Sequence, residues 1–586
     1  MKKVFSYIAA TAIAVAAADM QGEACTNVLI TRGASADGSC MISYAADSHQ
    51  LFGELYFHPA ADWKPGTMLK VFDWDSGKYN GEIPQVAHTY KTVGNMNEHQ
   101  LIIAETTYGG REELWEQDGI MDYGSLIYIA LQRAATAREA IDVIVNLADT
   151  YGYCSEGESF SIADKNEVWV MDLIGGGKDR KGILYVARRV PDGYICSHAN
   201  QARISTFPQN DPENCIYAKD VIDFARAKGW FDGKDEDFSF CDTYAPLDFG
   251  GMRGCEARAW SAFNILCEGQ FTFMDENGKE VTVPADHYLP YAMGYDKSLR
   301  FPLFVKPAKK VSVKDVAEVM RDHYEGTPMD MTQDIGAGGN ALPYRWRPMG
   351  FEIDGKSYTN ERAIATQQTG FWFVGQARGW LPDVIGGIDW FGTDDAATSY
   401  LTPIYTNTDE IPECFREGNG DMLNYSATSS FWMNNRVTNA CYRMYNIMQP
   451  TVKAAIDEWE NARLEEIASI DEKALSLYNK ALSKPVKAIK RNDSVKKTID
   501  PFPEVRKYLT EYSVNTAQTI FNKWVELEEL LLVKYIDGNV KAQDENGKFI
   551  TNGNKGNIPD GITQPGYTEK WKRTVALTHG AVIEER

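Results

Sequence analysis

Cys25 is the residue of this sequence whose position most directly suggests covalent chemistry. It follows the small residues Gly22 and Ala24, and small residues before a cleavage point are typical of a secretion signal. Cleavage after Ala24 would make Cys25 the N-terminal residue, with a thiol and an α-amine on the same residue. The ordinary pKa of such an amine is about 7.7 to 8.0 and that of a thiol about 8.5, so the amine could take the thiol proton near neutral pH. Nucleophile and base would then need no distant histidine.

Other interpretations of Cys25 stay open. An Ala directly before a Cys also suits a lipoprotein signal, although Gly22 and Glu23 match the rest of that motif poorly. A lipid on the thiol and an acyl group on the amine would remove both reactive groups. Cleavage further upstream would instead leave a structural cysteine. A papain-like pair of Cys25 with His198 is a further alternative, which the sequence favours less because it does not explain a thiol placed at the cleavage point.

The N-terminus has the pattern of an export signal. The basic start "MKK" is followed by an apolar run from Val4 to Ala18 and then by polar residues, as in secretory signal peptides. The run is short for a membrane span. We therefore predict that residues 1–24 are a signal peptide, and the sequence leaves open whether its last residues, such as "DMQGEA", form a short propeptide that is removed separately. The mature protein is expected in the periplasm or outside the cell, and a lipid-anchored surface form is the less favoured alternative.

Composition excludes some partners and leaves others open. The net charge is −22, which argues against nucleic acid, because affinity for phosphate chains depends on cationic contacts. The ten cysteines show no CxxC pair and no zinc-ligand spacing, so we predict no metal site. We expect no transmembrane span in the mature chain, and a homo-oligomer remains compatible with the sequence.

The elements that would position Cys25 are antiparallel strands. The runs "TNVLIT" and "CMISYA" flank Asp37-Gly38, a strong hairpin signal. Folding about that turn sets Cys25 opposite the region of Ser48 and Gln50, with Asp47 about 10 Å from the thiol along the strand.

Further hairpins and a helix complete the predicted body. A helix is expected over about residues 122–149, with a capping box formed by Thr136 and Glu139. Hairpin turns are expected at residues 164–166 and 191–193. Antiparallel hairpins interleaved with helices indicate α+β layers and not a parallel nucleotide-binding sheet.

The chain changes character after Pro450. Two amphipathic segments with charged outer faces follow, and we predict that these helices pack on the body or on each other. This divides the chain into a signal segment (1–24), a catalytic domain (25–450) and a C-terminal helical region (451–586).

Five segments, taken in chain order from Cys25 to about residue 450, carry a resemblance to a known family. They are "ACTNVLITRGASADGS", "NEHQLIIAETTYGGREEL", "VARRVPDGYICSHANQARI", "ERAIATQQTGFWFVGQARGWLPDVIGGIDWFG" and "SATSSFWMNNRVTNACYRMY". Together they resemble the dipeptidase A and secernin family of cysteine N-terminal-nucleophile (Ntn) hydrolases. The resemblance implies a four-layer αββα sandwich with two antiparallel sheets. It also implies hydrolysis of short peptides, chiefly dipeptides, without a metal or an organic cofactor.

The resemblance extends to individual residues near the expected nucleophile. Cys25 matches the nucleophile of the family. Family members carry an Arg and an Asp in a segment ending "ARxED", where this chain has "SYAADS". Asp47 matches the Asp, whereas Tyr44 stands where the Arg is expected and cannot supply a permanent positive charge. Asp47 could orient the α-amine of Cys25 or bind a substrate ammonium; the alternative is a polar residue at a strand end.

Four more residues are candidates for the site. Asn200, in "HANQARI", resembles the Asn that donates to the oxyanion in related hydrolases, and turn chemistry is its alternative. Glu105 ends an apolar strand and is a candidate for binding the substrate's amino group. Arg111 and Arg258 are candidates for binding a substrate carboxylate, because a planar guanidinium suits bidentate contact, and structural ion pairs are their alternative.

These observations predict an exported cysteine-type dipeptidase that acts through an N-terminal Cys25 thiol and a thioester intermediate. Two alternatives remain: an N-acyl amide hydrolase of the penicillin or bile-salt acylase kind, and a lipid-anchored surface protein that binds without catalysis.

Overall fold

The computed structural model describes residues 25–115, 118–483 and 502–585. The predicted signal peptide and any propeptide therefore lie outside the described residues. Within the described ranges, no helix combines the length and the apolar character needed to cross a membrane. All ten cysteines are described, and none of them forms a disulfide.

Two antiparallel sheets form the centre of the described chain. The first sheet has seven strands, in the spatial order Phe304–Val305, Ile195–His198, Thr26–Ile30, Cys40–Asp47, Thr369–Ala377, Gly387–Thr393 and Thr402–Tyr405. The second has eight, in the order Cys215–Tyr217, Ile183–Arg189, Val168–Gly175, Gly157–Ala163, Ile102–Gly109, Met96–Asn97, Thr92–Val93 and Phe57–His58. Every neighbouring pair in both sheets is antiparallel. The predicted mixed fold of antiparallel sheets and helices is confirmed.

The strand Cys40–Asp47 is buried on both faces, which explains why its sequence is mostly apolar. All of its residues are buried, and successive side chains enter different cores because strand side chains alternate between faces. Ile42 and Tyr44 belong to the core shared with the second sheet. Met41 and Ala45 belong to a separate core, which also contains side chains of the helices Ala257–Leu266 and Val313–Val319.

Helices and small hairpins surround the sheets. Helices Tyr123–Arg133 and Ala137–Tyr151 pack on the second sheet. The other α-helices are Val221–Ala227, Phe240–Tyr244, Ala257–Leu266, Leu289–Ala292, Val313–Val319, Asp383–Gly386, Ser430–Tyr442, Tyr445–Leu482, Pro503–Lys534 and Glu569–Ile583. A π-helical turn spans Gly251–Glu256. Short 3-10 helices span Glu112–Leu114, Asp235–Asp237, Ala285–Tyr288, Lys297–Leu299, Ile335–Asn340, Glu413–Phe415 and Ile536–Gly538. Four two-stranded sheets pair Gln270–Met274 with Glu280–Pro284, Gly350–Ile353 with Lys356–Thr359, Ala61–Asp62 with His88–Thr89, and Met68–Phe72 with Tyr79–Pro84.

The single helix predicted over residues 122–149 is two helices. Ala134 is extended, with φ −119° and ψ 144°, and ends the helix Tyr123–Arg133. Thr136 caps the next helix by accepting a hydrogen bond from Glu139 N at 3.3 Å. The Glu139 carboxylate accepts from Ala135 N at 2.8 Å. The cap at Thr136 is therefore confirmed, but the Glu139 carboxylate bonds to Ala135 N and not to Thr136 N, as a capping box requires. The cap also starts a second helix, where the prediction placed it inside one.

The first hairpin is confirmed, but its predicted register is wrong. Thr26 pairs with Ala45, so Cys25 lies beside Ala46 and not opposite Ser48 and Gln50. The reason is the loop between the strands, which is longer than a two-residue turn. Asp37 accepts hydrogen bonds from the hydroxyl groups of both Ser35 and Ser39 and from Ser39 N, so Asp37-Gly38 closes part of a loop and does not join the strands directly.

Of the two later hairpins, one is confirmed and one is wrong. The turn at residues 164–166 joins the paired strands Gly157–Ala163 and Val168–Gly175. The turn at 191–193 instead joins strands of different sheets, because Ile195–His198 pairs with Thr26–Ile30. Contacts from the first strand region hold this crossover: Gly193 N donates to Thr31 Oγ1 at 3.0 Å, and Thr31 Oγ1 donates to Tyr194 O at 2.7 Å.

The long C-terminal helices contact the first sheet at its last strand. The helix Tyr445–Leu482 contains the predicted domain boundary at residue 450. Its Glu460 forms a buried ion pair with Arg321, at 2.6 Å between Oε1 and Nη2. In the helix Pro503–Lys534, Ser513 Oγ accepts a hydrogen bond from Tyr405 N at 3.1 Å. A buried ion pair and a hydrogen bond to the backbone of the first sheet thus join these two helices to the part of the chain that precedes residue 450.

Candidate active site

The Cys25 thiol lies where the two sheets meet. It is buried and precedes the strand Thr26–Ile30. Its Sγ lies 3.7 Å from Tyr44 Oη, on the neighbouring strand, and 3.4 Å from Glu105 Oε1, on the second sheet. The Tyr44 hydroxyl donates to the same Glu105 oxygen at 2.5 Å. The structure therefore brings together three of the residues that the sequence predicted.

Arg258 connects Cys25 to Asn200. It lies at the start of helix Ala257–Leu266, directly after the π-helical turn, a type of irregularity that is common at functional sites. Its Nη1 donates to Cys25 O at 2.5 Å and to Thr26 Oγ1 at 2.9 Å. Its Nη2 donates to Asn200 Oδ1 at 2.8 Å. One buried guanidinium thus fixes the backbone of the expected nucleophile and the side chain of the expected oxyanion donor.

The same contacts fix which way the Asn200 amide points. A guanidinium only donates, so the amide oxygen must face Arg258 and the Nδ2 group must face away. Nδ2 donates to Thr107 O at 2.6 Å. Asn200 also has a φ of 55°, a left-handed conformation that Asn adopts more readily than most residues. The left-handed conformation of Asn200 therefore forms the turn after strand Ile195–His198 and also orients its side chain in the site.

Asp47 forms a buried ion pair next to this site. Its Oδ2 lies 2.6 Å from Arg362 Nη2, and its Oδ1 accepts from Thr369 Oγ1 at 2.6 Å. Burial raises the pKa of Asp47, and the charge of Arg362 opposes that rise. Arg362 lies in a segment quoted for the resemblance but was not predicted as a site residue. It is 315 positions from Asp47, and no spacing rule signals a pair at that separation.

Two arginines supply positive charge near Tyr44. Tyr44 stands where the resemblance predicts an Arg, and its hydroxyl is engaged with Glu105. Arg258 and Arg362 place guanidinium groups at Cys25 O and at the Asp47 carboxylate. A permanent positive charge is therefore present at the site even though residue 44 does not provide it.

Glu105 is one of two adjacent buried carboxyl groups. Thr107 pairs with Glu158 across the ladder, so Glu105 and Glu158 are diagonal neighbours on one face of the sheet. Burial raises the pKa of both, and the charge of Glu105 raises that of Glu158 further. Within the described chain, the buried Oε2 atom of each lacks an N–H or O–H donor when both are ionised. A proton on Glu158, donated to Glu105, satisfies both groups.

His198 is arranged differently from a catalytic histidine. Its Nδ1 lies 2.8 Å from Thr106 Oγ1, and its Nε2 lies 2.7 Å from Ser161 Oγ. Burial lowers its pKa to about 3, so the ring is neutral at physiological pH. Both nitrogens are engaged with hydroxyl groups between the sheets, which does not support the papain-like pair of Cys25 with His198.

Arg111 does not line the cavity at Cys25. Its Nε donates to Thr243 O at 2.7 Å, and its guanidinium lies 4.2 Å from the centre of the Trp230 ring. These contacts belong to a structural role, which was the stated alternative for this residue.

The wall of the cavity at Cys25 is partly aromatic. Besides Cys25, Tyr44 and Asp47, it includes Trp74, Tyr128 and Phe371. Trp74 and Tyr128 stack with their ring centres 4.5 Å apart. These aromatic residues were not predicted from the sequence, because they come from a loop, the helix Tyr123–Arg133 and the strand Thr369–Ala377 and share no motif. Among the described residues, no group of three or more His, Cys, Asp or Glu side chains is arranged to hold a metal ion.

A buried thiol at a cavity wall, with a side-chain amide and a guanidinium fixed beside it, is the kind of site that amide-cleaving hydrolases use. Comparison with known proteins agrees with this class. Residues 55–458 match the family described as Peptidase family C69, and the chain belongs to that family. Membership places the protein among hydrolases that act on peptides.

Curated relatives cover most of the chain at low identity. A probable dipeptidase of Latilactobacillus sakei is 22% identical over 464 residues, which is 75% of this chain and 86% of the relative. Dipeptidase A of Lactobacillus helveticus is 23% identical over 455 residues, 73% of this chain and 85% of the relative. A probable dipeptidase of Salmonella dublin is 24% identical over 409 residues, 65% of this chain and 81% of the relative.

Proposed function

We propose that this protein is an exported dipeptidase that hydrolyses the peptide bond of short peptides with the Cys25 thiol as nucleophile. The observation that carries the proposal is the guanidinium of Arg258, which holds both Cys25 O and the Asn200 amide. Family membership and the dipeptidase names of the relatives support the substrate class. We further propose that the helices and the two sheets form a four-layer αββα sandwich, which the packing of helices against both sheets supports.

The first half of the reaction forms a thioester. After residues 1–24 are removed, the α-amine of Cys25 accepts the thiol proton, and the thiolate attacks the carbonyl carbon of the scissile bond. The carbonyl oxygen becomes an oxyanion, which accepts a hydrogen bond from Asn200 Nδ2. A donor of this kind contributes roughly 3 to 4 kcal/mol to the transition state. Collapse of the intermediate breaks the C–N bond, and the α-ammonium returns the proton to the departing amine.

The second half releases the acyl group. Water attacks the thioester carbon while the α-amine of Cys25 takes a proton from the water. The tetrahedral intermediate is held by the same donor and expels the thiolate, which regains the proton. The net reaction adds one water to one peptide bond and leaves the enzyme unchanged.

The remaining site residues position these groups. Arg258 holds the Cys25 backbone so that the amine and the thiol keep their relative geometry. Glu105 and Tyr44 contact Sγ and set the rest position of the thiol. Asp47 lines the cavity at Cys25 and is the group that would orient the α-amine of Cys25 or receive the ammonium group of a substrate.

A second candidate function is hydrolysis of N-acyl amides. The cavity at Cys25 includes Trp74, Tyr128 and Phe371, and an aromatic wall suits an apolar acyl group. Parallel assays on unblocked dipeptides and on N-acyl amino acids decide between the two substrate classes.

The test of the nucleophile combines processing with activity. We expect the secreted protein to begin with an unmodified Cys25, as read by intact mass and N-terminal sequencing, and the Cys25→Ala protein to lose turnover of dipeptides. Cys154→Ala is the matched control, because Cys154 does not line this cavity. A lipid on Cys25, or turnover that survives Cys25→Ala, would overturn the proposed mechanism.

A further inference from the structure

We propose that Glu158 is a positioning residue for the reaction at Cys25: as a neutral carboxylic acid, it donates its proton to Glu105 and keeps the Glu105 carboxylate directed at the thiol. The inference rests on the proposed dipeptidase function and extends it to a residue that does not line the cavity at Cys25. Glu158 lies on strand Gly157–Ala163 and acts through two residues of the neighbouring strand Ile102–Gly109.

The contacts of the two carboxyl groups decide which of them keeps the proton. The groups share a hydrogen bond, so one of them is protonated, because an ionised carboxylate only accepts. Glu105 Oε1 also accepts from Tyr44 Oη at 2.5 Å and from Cys25 Sγ at 3.4 Å. In the described chain, Glu158 Oε1 accepts one hydrogen bond, from Thr107 Oγ1 at 2.9 Å. Hydrogen bonds to the charged form favour it, so the charge lies on Glu105 and the proton on Glu158.

Burial makes a second negative charge at this place costly. Both carboxyl groups are buried, which raises the pKa of each, and the charge of Glu105 raises the pKa of Glu158 further. Besides Cys25 and Tyr44, the titratable groups whose charges act on the pair include Asp75, Tyr108, Tyr128, Tyr153 and Glu156. Each of these groups is an anion when ionised. Adjacent carboxyl groups in such surroundings share one proton.

Thr107 connects Glu158 to the expected oxyanion donor as well. Its hydroxyl donates to Glu158, and its backbone oxygen accepts from Asn200 Nδ2 at 2.6 Å. Glu105 and Thr107 are two residues apart on one strand, so their side chains share a face of the sheet. Glu158 thus contacts both residues of this strand that reach the nucleophile and the oxyanion donor.

A carboxylate fixed beside Cys25 favours the proton transfer of the proposed mechanism. In that step the α-amine of Cys25 becomes an ammonium, and a nearby negative charge stabilises the charged form. The α-nitrogen and Sγ are three bonds apart, so the ammonium forms within about 7 Å of Glu105 Oε1. An ionised Glu158 would repel Glu105 and displace it from the thiol.

The experiment replaces Glu158 by Gln and by Leu in the full mature protein. Gln copies the neutral acid, because its amide donates to Glu105 while its oxygen accepts from Thr107, and Leu provides neither group. We expect Glu158→Gln to keep kcat/KM for alanyl-alanine within a few-fold of wild type at neutral pH. Glu158→Leu should lower it by about 10- to 100-fold, since hydrogen bonds to charged groups have that strength.

Two controls accompany these variants. Glu511→Gln changes an exposed glutamate of helix Pro503–Lys534 that does not line the cavity at Cys25, and it should leave kcat/KM unchanged. Circular dichroism and thermal unfolding show whether Glu158→Leu is folded. If it is not, the comparison of wild type with Glu158→Gln still tests the proton.

Infrared difference spectroscopy detects this proton without turnover. The spectrum of wild type minus Glu158→Gln at neutral pH should contain the C=O stretching band of a carboxylic acid. The spectrum of wild type minus Glu511→Gln should lack that band. If the band disappears at high pH, kcat/KM should fall at the same pH in wild type but not in Glu158→Gln. While the band persists, the two pH profiles should stay parallel.

Several results would overturn the inference. They are absence of the carboxylic acid band, equal losses of kcat/KM in Glu158→Gln and folded Glu158→Leu, and undiminished kcat/KM in Glu158→Leu. If wild-type protein cleaves no dipeptide, the proposed function fails, and alkylation of Cys25 by iodoacetamide, followed by mass spectrometry, replaces turnover. Glu158→Leu should then change the pH dependence of alkylation and Glu158→Gln should not, and any other pattern would refute the positioning role.

Discussion

Replacing Arg258 by Lys is expected to slow the chemical step. The guanidinium reaches three groups from separate nitrogens: Nη1 donates to Cys25 O, Nη2 to Asn200 Oδ1 and Nε to Gly254 O. A lysine ammonium is a single point and cannot span these positions. The variant keeps the positive charge but releases at least one side of the bridge between the nucleophile and the oxyanion donor.

The expected fall in kcat follows from the contacts that Asn200 keeps in Arg258→Lys. Loss of an oxyanion donor lowers kcat by about 100- to 1000-fold. Asn200 Nδ2 still donates to Thr107 O at 2.6 Å, so the amide stays partly anchored in Arg258→Lys. We therefore expect kcat to fall by about 100-fold, near the lower limit, with a small change in KM.

The assay is steady-state hydrolysis of a dipeptide by Arg258→Lys, Asn200→Ala and the double variant. Residues of one hydrogen-bond network have non-additive effects, so the double variant should be little worse than Asn200→Ala alone. Circular dichroism and thermal unfolding control for misfolding. Strictly additive losses, or a rise in KM with kcat preserved, would refute the bridging role of Arg258.

Three further predictions test other parts of the structure. Burial and the charge of Glu105 raise the pKa of Glu158, so this group stabilises the folded protein at low pH, and that stabilisation is lost as pH rises above the ordinary pKa of 4.5. The free energy of unfolding, measured by urea denaturation, should fall less between pH 5 and pH 8 in Glu158→Gln than in the wild-type protein. Parallel pH profiles of the two proteins would contradict a proton on Glu158. His198→Gln should retain most turnover. Its pH profile of kcat should match that of the wild-type protein between pH 5 and pH 8, because the His198 pKa of about 3 lies below that range. A loss of kcat of more than about 100-fold would instead indicate that His198 is a general base. Glu460→Gln should lower the free energy of unfolding by about 3 kcal/mol, because it removes the buried carboxylate from Arg321 and leaves the partly exposed Glu318, at 3.3 Å, as its ion-pair partner. Glu569→Gln, in an exposed pair with Arg573, should change it by less than about 1 kcal/mol.

Local features were predictable where a single segment contains the whole signal. The strands Thr26–Ile30 and Cys40–Asp47, the turn at residues 164–166 and the cap at Thr136 each depend on neighbouring residues. The sheet membership of Ile195–His198 was not predictable, because a Pro-Asp-Gly turn looks the same whether it folds a strand back or passes the chain to another sheet. Contacts with Thr31 decide between these outcomes.

The same division applies to the candidate site. Cys25 was found from its place in the chain, Asn200 and Asp47 from the resemblance, and Glu105 from its place in an apolar strand. The structure adds Arg362 and Glu158, whose importance depends on three-dimensional neighbours. The partner of Asp47 is 315 positions away, and only strand pairing of Cys40–Asp47 with Thr369–Ala377 brings the Arg362 segment to it.

Among the residues that the structure describes, the strand Thr402–Tyr405 is the last in the first sheet, and no further strand pairs with its outer side. Tyr405 N donates to Ser513 Oγ, in a helix that follows the predicted boundary at residue 450. An uncovered sheet edge is a template for pairing with other chains. A protein shortened at residue 450 would therefore expose this sheet edge. We expect such a protein to aggregate, although it would retain every candidate catalytic residue. The C-terminal helix Pro503–Lys534 thus contacts a sheet edge that would otherwise be open to pairing.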